Sequence, residues 1–284
     1  MIGRFWKKHF ALRQIYPFHE NPIVFVTCQW QRNKSEPNLK YLVYRTILTL
    51  FFIVPWAISI DRESGHGKWP IFLTNWGFTL CTTQAVIGLF LLVSCVLARQ
   101  STKMRRFQAI ALRLYPTYWV LNTLATSTAF AITVVYWTKV YNVDTMKLDE
   151  MNYLVHGNNS VLMFIDLWMV SHPVRILHVV YTIVFGFTYT LFTLIYYSAG
   201  GTSRDGSRCI YKIVDWDKPL PTSLTCLGVI VFLVVLHMLA VLVADMRRRL
   251  DEKCCSKEQD TPPMSSGSKS QAAYVNEGMS VDIV

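Results

Sequence analysis

Charge is what this chain has least of: Asp, Glu, Lys and Arg make up 16% of its 284 residues, while hydrophobic types make up 52%. That balance excludes an ordinary soluble domain of this length. Strand-type alternation of apolar and polar residues is missing as well, which leaves helices as the spanning element, because a helix satisfies its own backbone in hydrocarbon. Met1 to Lys40 contains no continuous apolar core and so lacks the pattern of a cleavable signal peptide. The first span must therefore act as its own insertion signal. Paired cysteine spacing is absent too: Cys28, Cys81, Cys95, Cys209, Cys226, Cys254 and Cys255 are scattered, which excludes a zinc-type site and a dense disulfide framework. Neither a metal nor a cofactor is expected. The formal charge of +10 raises nucleic acid as a partner, yet the Lys and Arg residues flank apolar runs and form no basic domain of their own. Membrane lipid is the partner that this distribution fits. No inverted repeat and no matched pair of Gly-broken helices is present, which weighs against a secondary transporter.

What the chain does have is six apolar runs, at residues 41-60, 69-97, 115-139, 151-171, 177-198 and 222-245. A helix rising roughly 1.5 Å per residue needs about 20 residues to cross about 30 Å of hydrocarbon, and each run suffices. The loop from Ala98 to Leu114 carries Arg99, Lys103, Arg105, Arg106 and Arg113 with no acidic residue, so the positive-inside rule places it in the cytosol. An even number of spans then puts both termini there, in keeping with Arg4, Lys7, Lys8 and Arg13 before the first span and Arg247, Arg248 and Arg249 after the last. The loop at 140-150, with Asp144, Lys147, Asp149 and Glu150, and the mixed-charge loop at 199-221 fall outside. From Asp251 onward the chain is rich in Ser, Gly, Pro, Gln and Lys, with Tyr274 as its one aromatic, too polar to fold alone. The expected architecture is an all-α membrane protein: a cytosolic basic and aromatic segment (1-40), a six-helix bundle (41-245) and a disordered cytosolic tail (246-284).

Polar side chains inside spans are costly unless they face the bundle interior, so they mark candidate chemistry. The fourth span holds Asn152, His156, Asn159, Ser160 and Asp166, at spacings that place most of them on one stripe. The second span brings Thr74, Asn75, Thr79, Thr82, Thr83 and Gln84 into its outer half. Both spans run inward, and Thr74 and His156 each lie about 8 Å below their helix starts, hence at similar depth. A hydroxyl beside an imidazole is the minimum for nucleophilic attack on an ester, the His taking the proton. Interhelical hydrogen bonding is the competing role for the same residues. It is also the reading for the isolated His178 and His237. Arg45 and Asp245 sit near cytosolic span ends, within reach of the interface, and Trp69, Trp76, Trp119 and Trp137 read as interfacial anchors or packing groups.

Four blocks resemble the rolling stone family of multi-pass membrane proteins, known chiefly from insect myoblast fusion. They are Phe25-Val26-Thr27-Cys28-Gln29-Trp30-Gln31, Leu73-Thr74-Asn75-Trp76-Gly77, His156-Gly157-Asn158-Asn159-Ser160 followed by Ile165-Asp166, and Ile210-Tyr211 with Asp215-Trp216. The resemblance implies a role in cell-cell fusion or a related surface process. More distantly, the chain is similar to the androgen-induced-gene family of intramembrane hydrolases, which cleave fatty-acid esters of hydroxy fatty acids. That similarity implies Thr74 as nucleophile and His156 as base; Asn75, Asn159, Ser160 and Asp166, from the polar sets of the same two spans, are the supporting candidates. Asn158-Asn159 stands where a second His is expected, and the outer loop before the last span is longer.

At the cytosolic end, Cys254 and Cys255 follow three arginines closely and are candidate palmitoylation sites. The terminal Val281-Asp282-Ile283-Val284 suits a PDZ-type groove. Three functions stay open on this reading: a non-enzymatic contribution to fusion, a Thr/His lipid-ester hydrolase, and a receptor, which short loops support least. The plasma membrane is the expected location, with the endoplasmic reticulum as the alternative.

Overall fold

A computed structural model describes residues 10-64, 67-99, 101-141 and 150-259. Arg4, Lys7, Lys8, Asp144, Lys147, Asp149, Tyr274 and the terminal Val281-Asp282-Ile283-Val284 lie outside the described residues. The helices are α1 (Leu39–Ser64), α2 (Leu73–Leu97), α3 (Thr102–Ala111), α4 (Tyr115–Val135), α5 (Glu150–Tyr153), α6 (Asn159–Met169), α7 (Val179–Ser198) and α8 (Pro219–Gln259). Among the described residues no strand forms beyond two isolated bridges. Among the described residues, five helices are long and apolar enough to cross a membrane. The expected fourth span is composite: α5 and α6 are joined by a π-helical turn, Leu154–Asn158.

Helix α4 is the hub, packed against α2, α6, α7 and α8. Its sequence explains this place. Ala125, Thr126, Ser127, Thr128, Ala129 and Ala131 are all buried, and small side chains let neighbouring backbones approach where no hydrophobic force drives helices together. The hydroxyls of Thr123, Thr126 and Ser127 bond back to carbonyls one turn earlier, so they are satisfied without water.

Two expectations need correction at the end of the bundle that carries Arg99, Lys103 and Arg247, the basic end. Residues 102-111, read as loop, form α3, capped by Ser101, whose hydroxyl accepts from the Lys103 amide. The last helix also runs to Gln259, so the stretch just after residue 245 is ordered, not disordered tail. The reason is packing against the N-terminal segment. Arg247, expected to hold the helix end at the interface, is 1% exposed and donates to the carbonyls of Leu167 and His172. Asp251 accepts from Gln29 at 2.8 Å and pairs with Lys34. Arg248 and Arg249 do stay exposed and pair with Asp245.

The N-terminal segment closes this end. Cys28 bridges to Val170, the Gln29 amide donates to the Met169 carbonyl at 2.8 Å, and the Trp30 indole donates to the Trp168 carbonyl at 2.9 Å. Phe25 is buried among Tyr115, Tyr118, Trp119 and His172. Arg175 holds the segment's start through the carbonyls of Tyr16 and Phe18, both at 2.8 Å.

Arg45 is not at the interface: it is 1% exposed and paired with the fully buried Asp166 at 2.6 Å. Gly88 makes room for it. A Cβ at Gly88 would overlap the Arg45 guanidinium and come within 2.8 Å of the Tyr118 ring. Gly88→Ala is therefore expected to destabilise the bundle by about 1–3 kcal/mol through overpacking, with a lower thermal midpoint in detergent. In an Arg45→Met background the penalty should fall to the part set by the Tyr118 ring; an unchanged penalty there would mean that Arg45 is not the main obstacle.

Candidate functional site

At the opposite end of the bundle, the loop end, a cavity of about 940 Å³ opens between the start of α2, the end of α4, the π turn before α6 and the loop preceding α8. Thr74, Asn75, Asn152 and His156 line it. The structure thus places the expected nucleophile and base on the wall of one vestibule. Local backbone explains how they get there. Thr74 is the second residue of α2, so its hydroxyl projects from the helix mouth, where the dipole favours developing negative charge. His156 sits inside a π turn, and a second π turn, Tyr136–Val140, ends the hub helix opposite it. Such turns widen a helix locally and recur at functional sites. The carbonyls they free are bound: Asn159 Nδ2 donates to the Val155 oxygen at 2.7 Å and Ser160 Oγ to the Gly157 oxygen at 2.9 Å.

Two tyrosines absent from the expected set hold the pair in place. The His156 ring lies flat on Tyr136, centroids 3.4 Å apart and planes 2° from parallel, and the Tyr136 hydroxyl donates to Asn152 Oδ1 at 3.0 Å. The Tyr211 hydroxyl accepts from the Leu73 amide at 2.9 Å and is hydrogen-bonded with Thr74. Burial pushes the Tyr211 phenol above its ordinary pKa, so it stays protonated at neutral pH. Tyr211 belongs to the Ile210-Tyr211 block, which was the available signal. Nothing in the sequence singled out Tyr136.

The four supporting residues divide. Asn75 lines the vestibule, but its Nδ2 donates to the Trp69 carbonyl at 2.6 Å and so braces the turn before α2. Asn159 and Ser160 are buried and shape the π turn as described. Asp166 is not brought to the site: ten residues from His156 along the helix, it lies about 15 Å away. There it binds Arg45, Tyr44 and Asn122. Of the isolated histidines, His237 Nε2 meets the Arg175 carbonyl at 3.0 Å. His178 instead packs on Trp119 at 4.7 Å, and neither of its ring nitrogens is hydrogen-bonded among the described residues.

Charge in the vestibule is mostly positive. Among the described residues, Arg62, Lys139, Arg204 and Lys212 line it against the one carboxylate of Asp205. The Ser207 hydroxyl and amide hold that carboxyl below its usual pKa. Arg204 also lies over the Phe72 ring, 4.6 Å from its centroid. Below the vestibule a second, smaller cavity of about 90 Å³ continues between α2, α4, α7 and α8, with Thr74, Tyr136 and Tyr211 on the walls of both. Its deeper wall is apolar apart from threonine hydroxyls, the Cys226 thiol and the Tyr189 phenol. No group of three or more His, Cys, Asp or Glu residues able to hold a metal occurs among the described residues.

A family model described as Protein rolling stone matches residues 5–256. The Protein rolling stone of Drosophila melanogaster is 34% identical over 212 residues, covering 72% of this chain and 76% of the fly protein. No solved structure matches the chain. With its apolar spanning helices and a family match from the N-terminal segment to the end of α8, this chain belongs to the rolling stone family and is an integral membrane protein.

Proposed function

We propose that this protein hydrolyses a lipid ester at the loop end of the bundle, with Thr74 as nucleophile and His156 as base. The carrying observation is that both residues line one vestibule and that Thr74 also lines the adjoining, largely apolar slot. In the first step a bond forms between Thr74 Oγ and the ester carbonyl carbon while the hydroxyl proton passes to His156. Collapse expels the alcohol, which takes that proton back. Water, deprotonated by the same imidazole, then bonds to the acyl carbon; the bond to Thr74 Oγ breaks, that oxygen takes the proton from His156, and the acid leaves. Tyr211, hydrogen-bonded with Thr74, would donate to the oxyanion. The loop end faces the outside or lumen, both termini are cytosolic, and the plasma membrane is the setting.

The test is turnover of a lipid ester, together with labelling by a serine/threonine hydrolase probe, in purified wild type, Thr74→Ala and His156→Ala. Equal turnover and labelling in all three would sink the proposal. The second reading, a non-enzymatic part in cell-cell fusion, draws on the family and on the hydrogen bonds that tie Thr74, Asn75 and Tyr211 into the start of α2. It needs neither Thr74 nor His156 as chemistry.

Palmitoylation belongs to the same proposal for the basic end. Cys254 is exposed near the end of α8, close to the inner interface. The Cys254→Ser/Cys255→Ser double variant is expected to lose acyl labelling in cells, and unchanged labelling would reject the site.

A further inference from the structure

The slot beneath Thr74 carries information about the lipid that enters it. Three independent helices give its depth. Its lining runs from Thr225 to Leu233 on α8, from Thr193 to Phe185 on α7, and over Tyr136 to Thr128 on α4. Each stretch advances eight residues, which at 1.5 Å per residue is about 12 Å. Near its lower end α7 and α8 converge at Gly186, where a Cβ would lie 2.8 Å from Ile230 and 3.5 Å from Leu233.

Volume gives a second measure. The slot encloses about 90 Å³; a water-sized body, comparable to a methylene group, needs about 10–15 Å³ of such space, so it takes about six to nine of them in file. Depth and volume agree on a single unbranched chain of medium length. The mouth fixes which end of the ligand stays out. Thr74, Tyr136 and Tyr211 ring the junction, and above them Lys139, Arg204 and Lys212 supply positive charge. The ligand's polar end therefore belongs in the vestibule.

We infer that the slot between α4, α7 and α8 binds one medium-chain acyl group, of about six to nine carbons, tail down toward Gly186 with its carboxyl or ester end at Thr74. The position of the carbonyl rests on the hydrolase reading above; the binding of the chain does not. Gly186 and Thr190 are then specificity-determining residues. Thr190 lines the slot halfway down, its hydroxyl donating to the Gly186 carbonyl at 2.9 Å and hydrogen-bonded with the Cys226 thiol, so a larger apolar side chain there shortens the available space at the cost of one weak thiol contact.

The experiment uses the full chain in phosphatidylcholine nanodiscs, with diazirine-tailed probes built on octanoic and on palmitic acid, and maps crosslinks by mass spectrometry. The octanoate probe is expected to label the slot wall of α4, α7 and α8 at least about tenfold more than the palmitate probe, and free octanoate should compete. Thr190→Phe should cut that labelling about fivefold or more while the thermal midpoint stays near wild type. If Thr190→Phe fails to fold, Cys226→Phe at the upper wall replaces it. Equal labelling by the two probes, or labelling that ignores the filling variant, overturns the inference. Thr74→Ala separates the two readings. Turnover lost with labelling kept supports both, whereas labelling in a protein without ester turnover leaves the slot standing and removes the hydrolase.

Discussion

Asp166→Ala is expected to destabilise the bundle by about 3–5 kcal/mol, the range for leaving one member of a buried ion pair uncompensated. Asp166 is fully buried and Arg45 is 1% exposed. The Arg45 Nη1 donates to Oδ1 at 2.6 Å, the Tyr44 hydroxyl donates to the same oxygen at 3.2 Å, and Asn122 Nδ2 donates to Oδ2 at 3.0 Å. Asn122 reaches on to Gln84 at 3.3 Å. Four helices, α1, α2, α4 and α6, thus meet at one carboxylate in a region with no bulk water to take over its bonds. Removing it strands a guanidinium that also lies over the Tyr118 ring at 5.5 Å. The paired replacement Arg45→Met with Asp166→Leu should recover most of the loss, because apolar packing can replace a buried pair at little cost once both charges are gone. Equilibrium unfolding in bicelles measures the three proteins together. A double variant as unstable as Asp166→Ala would mean that the site, not the unpaired charge, sets the penalty.

How far the sequence discloses this molecule can be judged from the same residues. The apolar runs are legible because length and hydropathy are local properties, and the helices that they specify form. The fourth span is harder to see: Asn152, His156 and Asn159 dilute its hydropathy, and the π turn that accommodates them depends on contacts from α4. Arg45 and Asp166 were each visible as charges in apolar runs. Their partnership was not, since the two are 121 positions apart in sequence and near a span end a long cation has the competing option of reaching the interface. The length of α8 was hidden for a related reason. Residues 251-259 have the composition of a solvated tail, and only the bonds of Asp251 to Gln29 and Lys34 show why the helix continues. Thr74 and His156 were legible through topology, because parallel spans set depth by counting. Tyr136 was not, because an aromatic residue at a span end reads first as an interfacial anchor.

Thr74→Ala is expected to lower ester turnover by about a thousandfold or more, and His156→Ala by about a hundred- to ten-thousandfold, the range for losing a positioned general base. The double variant should be no worse than the poorer single one. A nucleophile and its base act as a unit, so removing either already abolishes the step that both serve. Independent structural roles would instead add, because residues on separate helices without a shared partner contribute separately. Tyr136→Phe tests how the base is held. It keeps the ring against which His156 stacks and loses the hydroxyl bond to Asn152, so turnover should fall by about tenfold or less, the cost of a hydrogen bond. Tyr136→Ala removes the stacking surface as well and should approach His156→Ala in turnover. Asp166 supplies the control. It lies about 15 Å along the helix from His156, so in the doubly apolar Arg45→Met/Asp166→Leu protein turnover per folded molecule should match wild type. Were turnover instead to follow stability across all these variants, with no separate loss at Thr74 and His156, the vestibule would be a structural feature of the bundle and not a reaction site.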